Sequence, residues 1–594
     1  MLLSGAEALA EIQLSPRTDR DSTASGSAQA TSEEKRSAAA ASAVERLELP
    51  KPVLADAREL PSVFRHAAPV SMAGLKAIER HVKALAARVS PAVVAVQVGS
   101  GVGSGVVISE DGLVLTAGHV CGRADRSARF TFPDGRTARG KTLRINQDSD
   151  LGLMRITDRG HWPYAQMGDL ERTRVGDWVL ALGHPGGFDL RRSLVVRLGR
   201  IIRLEPDAVQ TDCTISLGDS GGPLFDMHGR IIGIHHAISS SLAENFHESA
   251  SAFYKGWDAP SETAGDDQQL RQRQPEADVP EATSAARLPR DRFRSGEAIL
   301  HALTAVSETT RHSIVKLNVN GETVALGTVV DASGLALTKA SELKPGNLTC
   351  WLSTDKEVRA EVIRVDDEED VALVRIHARD LKPIRWTEGG SAIGQWAITP
   401  GIAPTPQAVG IISAMPRRIR HSRALIGVQF DYNVASPRIE SILPGLGAEQ
   451  AGLKPGDVIV AVNAATVTNR EQVVESLREL REGQTVKLEV QRSETQFTAE
   501  VRMMVPRAGQ LGEGAYSARR LRRLGGDVSR RAEGFEVAIE HDTVLPPWLC
   551  GGPLVNLDGR AVGLNIARAG RVSTYALPAR LAKRIFAELK VSRD

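Results

Sequence analysis

The sequence repeats itself, and the repeat limits the folds open to it more than any other feature. Gly105 to Thr116 (GVVISEDGLVLT) aligns without a gap on Gly327 to Thr338 (GTVVDASGLALT). Asp150 to Ile156 aligns on Asp370 to Ile376, and Gly176-Asp-Trp178 on Gly394-Gln-Trp396. Late in each half, Ser220-Gly-Gly-Pro-Leu224 is answered by Cys550-Gly-Gly-Pro-Leu554. Four matches in one order mean two copies of one domain. Each copy opens on a helical stretch: Leu75, Ile78, Val82, Leu85 and Val89 recur at helical spacing in the first, and Glu297 to Thr310 stands in the same place in the second. Short Val-rich runs then follow (Val93 to Val98, Gly105 to Ile108, Leu113 to Thr116), bounded by Gly or Asp-Gly turns, the pattern of a small all-β barrel.

The copies differ in one interval. Gly199 to Ser220 spans 21 residues, but the corresponding Gly410 to Cys550 spans 140, so 119 residues are inserted in the second copy. Within the insertion, Leu425-Ile426-Gly427-Val428 precedes a strand, and AEQAGLKPGDVIVAV runs from Ala448 to Val462. A short amphipathic helix with Val473, Leu477 and Leu480 on one face comes next, then a strand from Thr485 to Val490. This segment resembles a PDZ domain. The resemblance implies that an extended peptide, usually a C-terminus, is added as a strand beside the helix, with Leu425, Ile426, Gly427 and Val428 receiving its carboxylate.

Composition bounds the function classes. With 74 Lys and Arg against 72 Asp and Glu, the net charge of +2 gives no electrostatic case for nucleic-acid binding. No apolar run reaches the ~18 to 20 residues of a membrane span. Four cysteines in four distant segments, without CxxC spacing, suggest neither a zinc site nor a disulfide framework, and no motif calls for a cofactor or metal. Residues 1–70 are rich in Ala, Ser, charge and Pro and read as a disordered tail; Ala8-Leu9-Ala10 reads equally as the end of a truncated signal peptide or as part of an ordinary Ala-rich terminus. Residues 258–296 read as a solvated linker.

Three segments of the first copy carry chemistry: Thr116-Ala-Gly-His119, Asp148-Ser-Asp150 and Gly218-Asp-Ser220-Gly-Gly-Pro-Leu224. A serine hydroxyl is a poor nucleophile until an imidazole takes its proton, and a carboxylate must hold that imidazole in the right tautomer. Asp148 competes with Asp150 for the carboxylate role, and the repeat register, Asp150 against Asp370, favours the latter. His184, His235 and His236 have no comparable motif support.

The order GSGVVIS, LTAGHV, DSDLGLMRI, ALGHPGG, QTDCTISLGDSGGPL resembles trypsin-like serine proteases of the HtrA (Deg) group, over nearly all of residues 73–257. The resemblance implies His119 as general base, Asp150 as its orienter, Ser220 as nucleophile, and the N–H groups of Gly218 and Ser220 as oxyanion donors. It places Thr214, six residues before the nucleophile, on the floor of the primary specificity pocket, where a neutral side chain suits small or medium apolar residues. Such proteases often carry Asn before the nucleophile; here it is Asp219, as in trypsin, and the sequence names no partner for its charge. In the second copy Ser341 takes the base position, Cys550 the nucleophile position and Trp548 the position of the oxyanion glycine, so this copy reads as a pseudoprotease.

The fold expected is mainly β: two trypsin-like double β-barrel domains, the second interrupted by an α+β PDZ domain. The units are an active domain at 71–257, the linker at 258–296, a pseudoprotease at 297–423 and 507–594, and the PDZ domain at 424–506. The function expected is a periplasmic or secreted serine endopeptidase acting on unfolded, misfolded or exported proteins, its PDZ domain binding peptide C-termini. The alternative is a chaperone-like peptide binder with little or no hydrolysis. Self-association into a homo-oligomer is left open.

Overall fold

The computed structural model describes residues 50–52, 59–64, 71–99, 101–146, 148–189, 192–239, 241–254, 287–420, 424–431, 434–477, 480–505 and 526–591. The first copy begins with helix α1 (Met72–Val89), whose Ser71 side chain caps it by accepting from Gly74 N–H at 3.1 Å. Its buried stripe, Leu75, Ile78, Val82, Leu85 and Val89, is the one the spacing predicts. Ser90-Pro91 opens a short 3₁₀ turn at its end. Six strands follow: β1 (Val93–Val98), β2 (Gly101–Val107), β3 (Leu113–Ala117), β4 (Ser127–Thr131), β5 (Thr137–Asn146) and β6 (Leu151–Ile156). They close into a barrel of order β1-β2-β3-β6-β5-β4. A second barrel closes from β7 (Trp178–Gly183), β8 (Val195–Leu204), β9 (Ala208–Thr211), β10 (Pro223–Asp226), β11 (Ile231–Ile238) and β12 (Asn245–Ser249) in the order β10-β11-β12-β9-β8-β7.

The second copy reproduces both barrels strand for strand. Its second barrel, the fourth of the chain, is built from Trp396–Thr399, Ala408–Ile419, Phe535–His541, Pro553–Val555, Ala561–Arg568 and Thr574–Pro578. The insertion falls between Ala408–Ile419 and Phe535–His541, the counterparts of β8 and β9, where the spacing excess points. It holds a separate core of Ile426, Ile459, Val462, Val473, Leu488 and Val501. Its helix runs Arg470–Leu477, so Leu480 lies beyond it, partly buried against the same core. The expected boundary at 506/507 lies outside the described residues.

The copies are packed into one body. Trp178 and its repeat counterpart Trp396 meet edge to face, with ring centroids 6.4 Å apart. Trp396 also donates from its ring to Leu75 O at 3.0 Å and from its backbone to Glu79 at 2.9 Å, so α1 of the first copy serves both. Asp212 and its counterpart Asp542 both converge on Arg294. The Arg294 N–H donates to Asp212 at 2.7 Å and its Nη1 lies 2.7 Å from Asp542 Oδ1.

Two stretches read as solvated depart from that reading. Leu288 and Phe293, at the end of the 258–296 segment, are buried with Ile202, and Arg294 is buried between the copies. In the N-terminal segment Leu60, Val63 and Phe64 pack against the main core. In both places a few apolar side chains dock on a surface built by distant residues, which average composition does not register. The remainder of both stretches, including Ala8-Leu9-Ala10, lies outside the described residues.

Candidate active site

His119 sits in the short helix Gly118–Cys121 that follows β3, and Asp150 in the turn entering β6, the neighbour of β3. The turn holds Asp150 at φ +45, and its counterpart Asp370 takes φ +60. Backbone bonds fix the approach: Gly118 N–H donates to Asp150 O at 2.7 Å and His119 N–H to Asp150 Oδ1 at 2.8 Å. A Cβ at Gly118 would lie 2.9 Å from Asp150 Oδ1, which explains the glycine before His119. The imidazole Nδ1 is 2.6 Å from Asp150 Oδ2. Asp148, the competitor, is exposed, and its N–H donates to Asn146.

Ser220 lies in the loop before β10. Gly221 takes φ +85, and a Cβ there would come within 2.1 Å of Thr116 Oγ1 and 2.8 Å of Ala117 N, so the serine abuts the segment leading into His119. Ser104, the serine of the GSGVVIS segment, ties the loop down. It donates from N–H to Ser220 O and from Oγ to Gly218 O, both at 2.8 Å, and its Oγ accepts from His184 N–H at 2.9 Å. The described hydrogen bonds of His119 go to Asp150, and none joins it to Ser220 Oγ. Catalytic hydrogen bonds of this kind often tighten only when substrate is bound. Among the described residues neither the Gly218 nor the Ser220 N–H has an acceptor, the state a pair of oxyanion donors requires.

Two further groups complete the site. Asp219 finds its partner in Arg197 on β8, with Nη1 3.1 Å from Oδ2 and both side chains buried. Burial pushes the Asp219 carboxyl up from its ordinary value, against the pull of Arg197. His236 on β11 turns its Nδ1 onto the same Asp150 oxygen as His119, at 2.7 Å. Burial alone would raise the Asp150 carboxyl; the hydrogen bonds and charges of His119 and His236 outweigh it and hold the group well below the usual carboxylate range. Motif reading missed His236. The signal available was the repeat, where the register puts Ile566 in its place in the copy that has Ser341 where the first has His119. His235 and His184 are fully buried, His235 paired with His247 at 2.9 Å, and belong to the core.

His119, Asp150 and His236 form a two-imidazole, one-carboxylate group. Zinc at ~2.0 Å from each donor in a tetrahedron holds neighbouring donors ~3.3 Å apart. Nitrogens at 2.6 and 2.7 Å from one oxygen have instead the spacing of hydrogen bonds.

Thr214 is buried directly before Ile215. In the insertion, Gly427 takes φ +92, and Ile426 and Gly427 donate no N–H bond among the described residues, although their carbonyls accept from Ala448 and Leu443. The Leu425 backbone exchanges both its bonds with Met504, and Val428 opens the strand Val428–Phe430. Val473 is fully buried in the core, because the helix turns its apolar face inward; Val474 beside it is exposed.

In the second copy Ser341 occupies the base position, donating from Oγ to Asp370 Oδ2 at 2.8 Å. Lys339 adds a buried ammonium 2.5 Å from the same oxygen, a contact no motif announces. Cys550 is buried, and burial pushes its thiol up to about 11, with Lys339 opposing.

Comparison with known proteins agrees with this geometry. Residues 103–234 match the trypsin-like peptidase domain and residues 424–503 the PDZ domain. The chain thus carries a trypsin-like peptidase domain and, further on, a PDZ domain, and proteins named DegP-like serine endoproteases are similar to it. Over 427 residues, 68% of this chain and 78% of the relative, it is 27% identical to a protein of Halomonas elongata named probable periplasmic serine endoprotease DegP-like. A protein of the same name from Pseudomonas putida is 38% identical over 140 residues, 23% of this chain and 29% of the relative. One from Brucella suis is 38% identical over 143 residues, 23% of this chain and 28% of the relative.

Proposed function

We propose that the first copy hydrolyses peptide bonds in unfolded, misfolded or exported proteins, with Ser220 as nucleophile, His119 as general base and Asp150 as its orienter. The observation that carries this is the 2.6 Å contact of His119 Nδ1 with Asp150 Oδ2. With Nδ1–H given to the carboxylate, Nε2 is the basic nitrogen, available for the Ser220 proton. The hydroxyl oxygen attacks the scissile carbonyl as Nε2 takes that proton. The negative charge on the tetrahedral intermediate goes to the N–H groups of Gly218 and Ser220. Nε2 then returns the proton to the leaving amine, and water releases the acyl group by the same steps.

The buried thiol and the hydroxyl in the base position support a non-catalytic second copy. The unengaged N–H groups of Ile426 and Gly427 support capture of a peptide carboxylate in the PDZ domain. The DegP-like relatives are named periplasmic, which supports a periplasmic or secreted location for this chain. Ser220→Ala tests the catalytic reading: purified, folded variant should fail to degrade casein, and persistent degradation would refute the assignment.

A further inference from the structure

The second copy sends one side chain into the first. Arg571, in the turn between Ala561–Arg568 and Thr574–Pro578, is 2% exposed and crosses the interface between the copies. Its Nε donates to Ile215 O at 3.1 Å, and its Nη2 to Ser241 O at 2.9 Å and Asn245 Oδ1 at 3.5 Å. Ile215 follows Thr214 directly, five residues before Ser220; Ser241 lies in the connection from β11 to β12, and Asn245 opens β12. Asn245 closes the set, accepting from Ile215 N–H at 3.1 Å and donating to Leu242 O at 2.9 Å. One guanidinium thus holds two segments of the first copy together: the one that carries Thr214, and the loop facing it.

The arrangement is costly for a merely structural contact. Every acceptor of Arg571 is a carbonyl or amide oxygen, and its Nη1 is buried without an acceptor. Burial and the nearby Arg568 push the guanidinium down to about 10. A buried charge of this kind is usually paired with an opposite one. Within the second copy it is held in line by Arg568, which donates to Arg571 O at 3.3 Å and to Gly570 O at 3.2 Å. Arg568 N–H in turn donates to Ser529 Oγ at 3.0 Å, and that hydroxyl lies 3.9 Å from Cys550 Sγ. The degenerate centre is joined by this chain of contacts to the segment beside the candidate specificity floor of the first.

We infer that Arg571 is a positioning residue for primary specificity, so that the degenerate copy fixes which side chains the first copy accepts at the cleavage site. The inference rests on the assignment of Ser220 as nucleophile and of Thr214 to the specificity floor. It gives the second copy a role in the reaction without chemistry of its own.

The test compares the full-length wild type, Arg571→Met and Arg571→Lys in three measurements: the fluorophosphonate labelling rate, kcat and KM on a preferred peptide, and the residue preference at the cleaved bond across a peptide library. Arg571→Met should raise KM about tenfold or more and broaden the preference, while kcat and labelling rate stay near wild type. Arg571→Lys, which keeps the charge and a donor, should recover part of the selectivity, and it alone decides the matter if the methionine variant does not fold. Unchanged KM and preference in a folded variant would overturn the inference. So would a labelling rate that falls as far as peptide cleavage, because Arg571 would then support the whole catalytic unit. Failure of the wild type to label would overturn the catalytic assignment itself and this inference with it.

Discussion

Arg197 and Asp219 form a closed ion pair inside the second barrel, with Nη1 3.1 Å from Oδ2 and 1% and 0% of the two side chains exposed. Asp219 directly precedes Ser220, and its Oδ2 also accepts Ser216 N–H at 2.8 Å, so the pair sets the shape of the loop that carries Gly218 and Ser220. Its charge therefore has a partner inside the domain. In the second copy both members are gone together: the register places Ala408 opposite Arg197 and Leu549 opposite Asp219. Arg197→Met should leave a buried carboxylate unpaired, costing about 3 to 5 kcal/mol of stability and most of the peptidase activity. The double variant Arg197→Met, Asp219→Leu should regain much of the stability. Thermal unfolding and peptide cleavage read both, and wild-type activity in the single variant would contradict this role.

Asp150 carries two imidazoles on one oxygen, and the second should matter for rate. On the proposed triad, His236 steadies the carboxylate that would orient His119. Removing a hydrogen bond to a charged group costs about 1.5 to 3 kcal/mol. His236→Ala should thus lower kcat about 10- to 100-fold with little change in KM, and His236→Asn, which keeps an N–H donor, should lose less. Steady-state kinetics on a short peptide decide it, and an equal rise in KM would assign His236 to substrate binding instead.

How far the site was legible in the sequence follows from what each residue type needs. His119, Asp150 and Ser220 lie in local motifs because turn geometry around each is set by neighbours such as Gly118 and Gly221. The four barrels were legible because the repeat doubles every signal. Arg197, His236 and Arg571 were not, since each acts through a contact with a residue distant in sequence, and an isolated Arg or His in a strand or turn carries no local mark. Periodicity likewise found the apolar face of the helix that carries Val473, but periodicity alone does not tell a groove from a core.

Glu248 on β12 faces His236, with Oε1 3.8 Å from Nε2. Burial raises its carboxyl to about 7; His236 opposes the shift, and Asp150 and Asp207 add to it. A folded-state value above the unfolded one, about 4.3, means that its stability contribution is full below that pH and is lost as pH rises through about 7. The wild type should lose up to about 3 kcal/mol across this window from Glu248 alone. Glu248→Gln should remove that part of the slope, so the variant gains on the wild type above pH 7. Urea unfolding at pH 4.5, 6 and 8 reads the difference, and parallel pH profiles would contradict it.

Cys550 should be chemically silent. Its thiol is pushed up to about 11 by burial, against the pull of Lys339 and of Ser529, whose Oγ is 3.9 Å away, and Ser341 rather than an imidazole stands in the base position. Iodoacetamide should leave it unmodified in the native protein, and Cys550→Ser should retain activity within about twofold. Native-state alkylation at Cys550, or a large loss in the folded serine variant, would show chemistry in the second copy.

The most direct test of the central claim is to label the native full-length protein with a fluorophosphonate and map the modified residue by peptide mass spectrometry. The account predicts a single adduct on Ser220, lost in His119→Ala and in Ser220→Ala, and none on Ser341. No adduct on a folded protein, or an adduct on Ser220 that persists without His119, would contradict an imidazole-activated serine at this site.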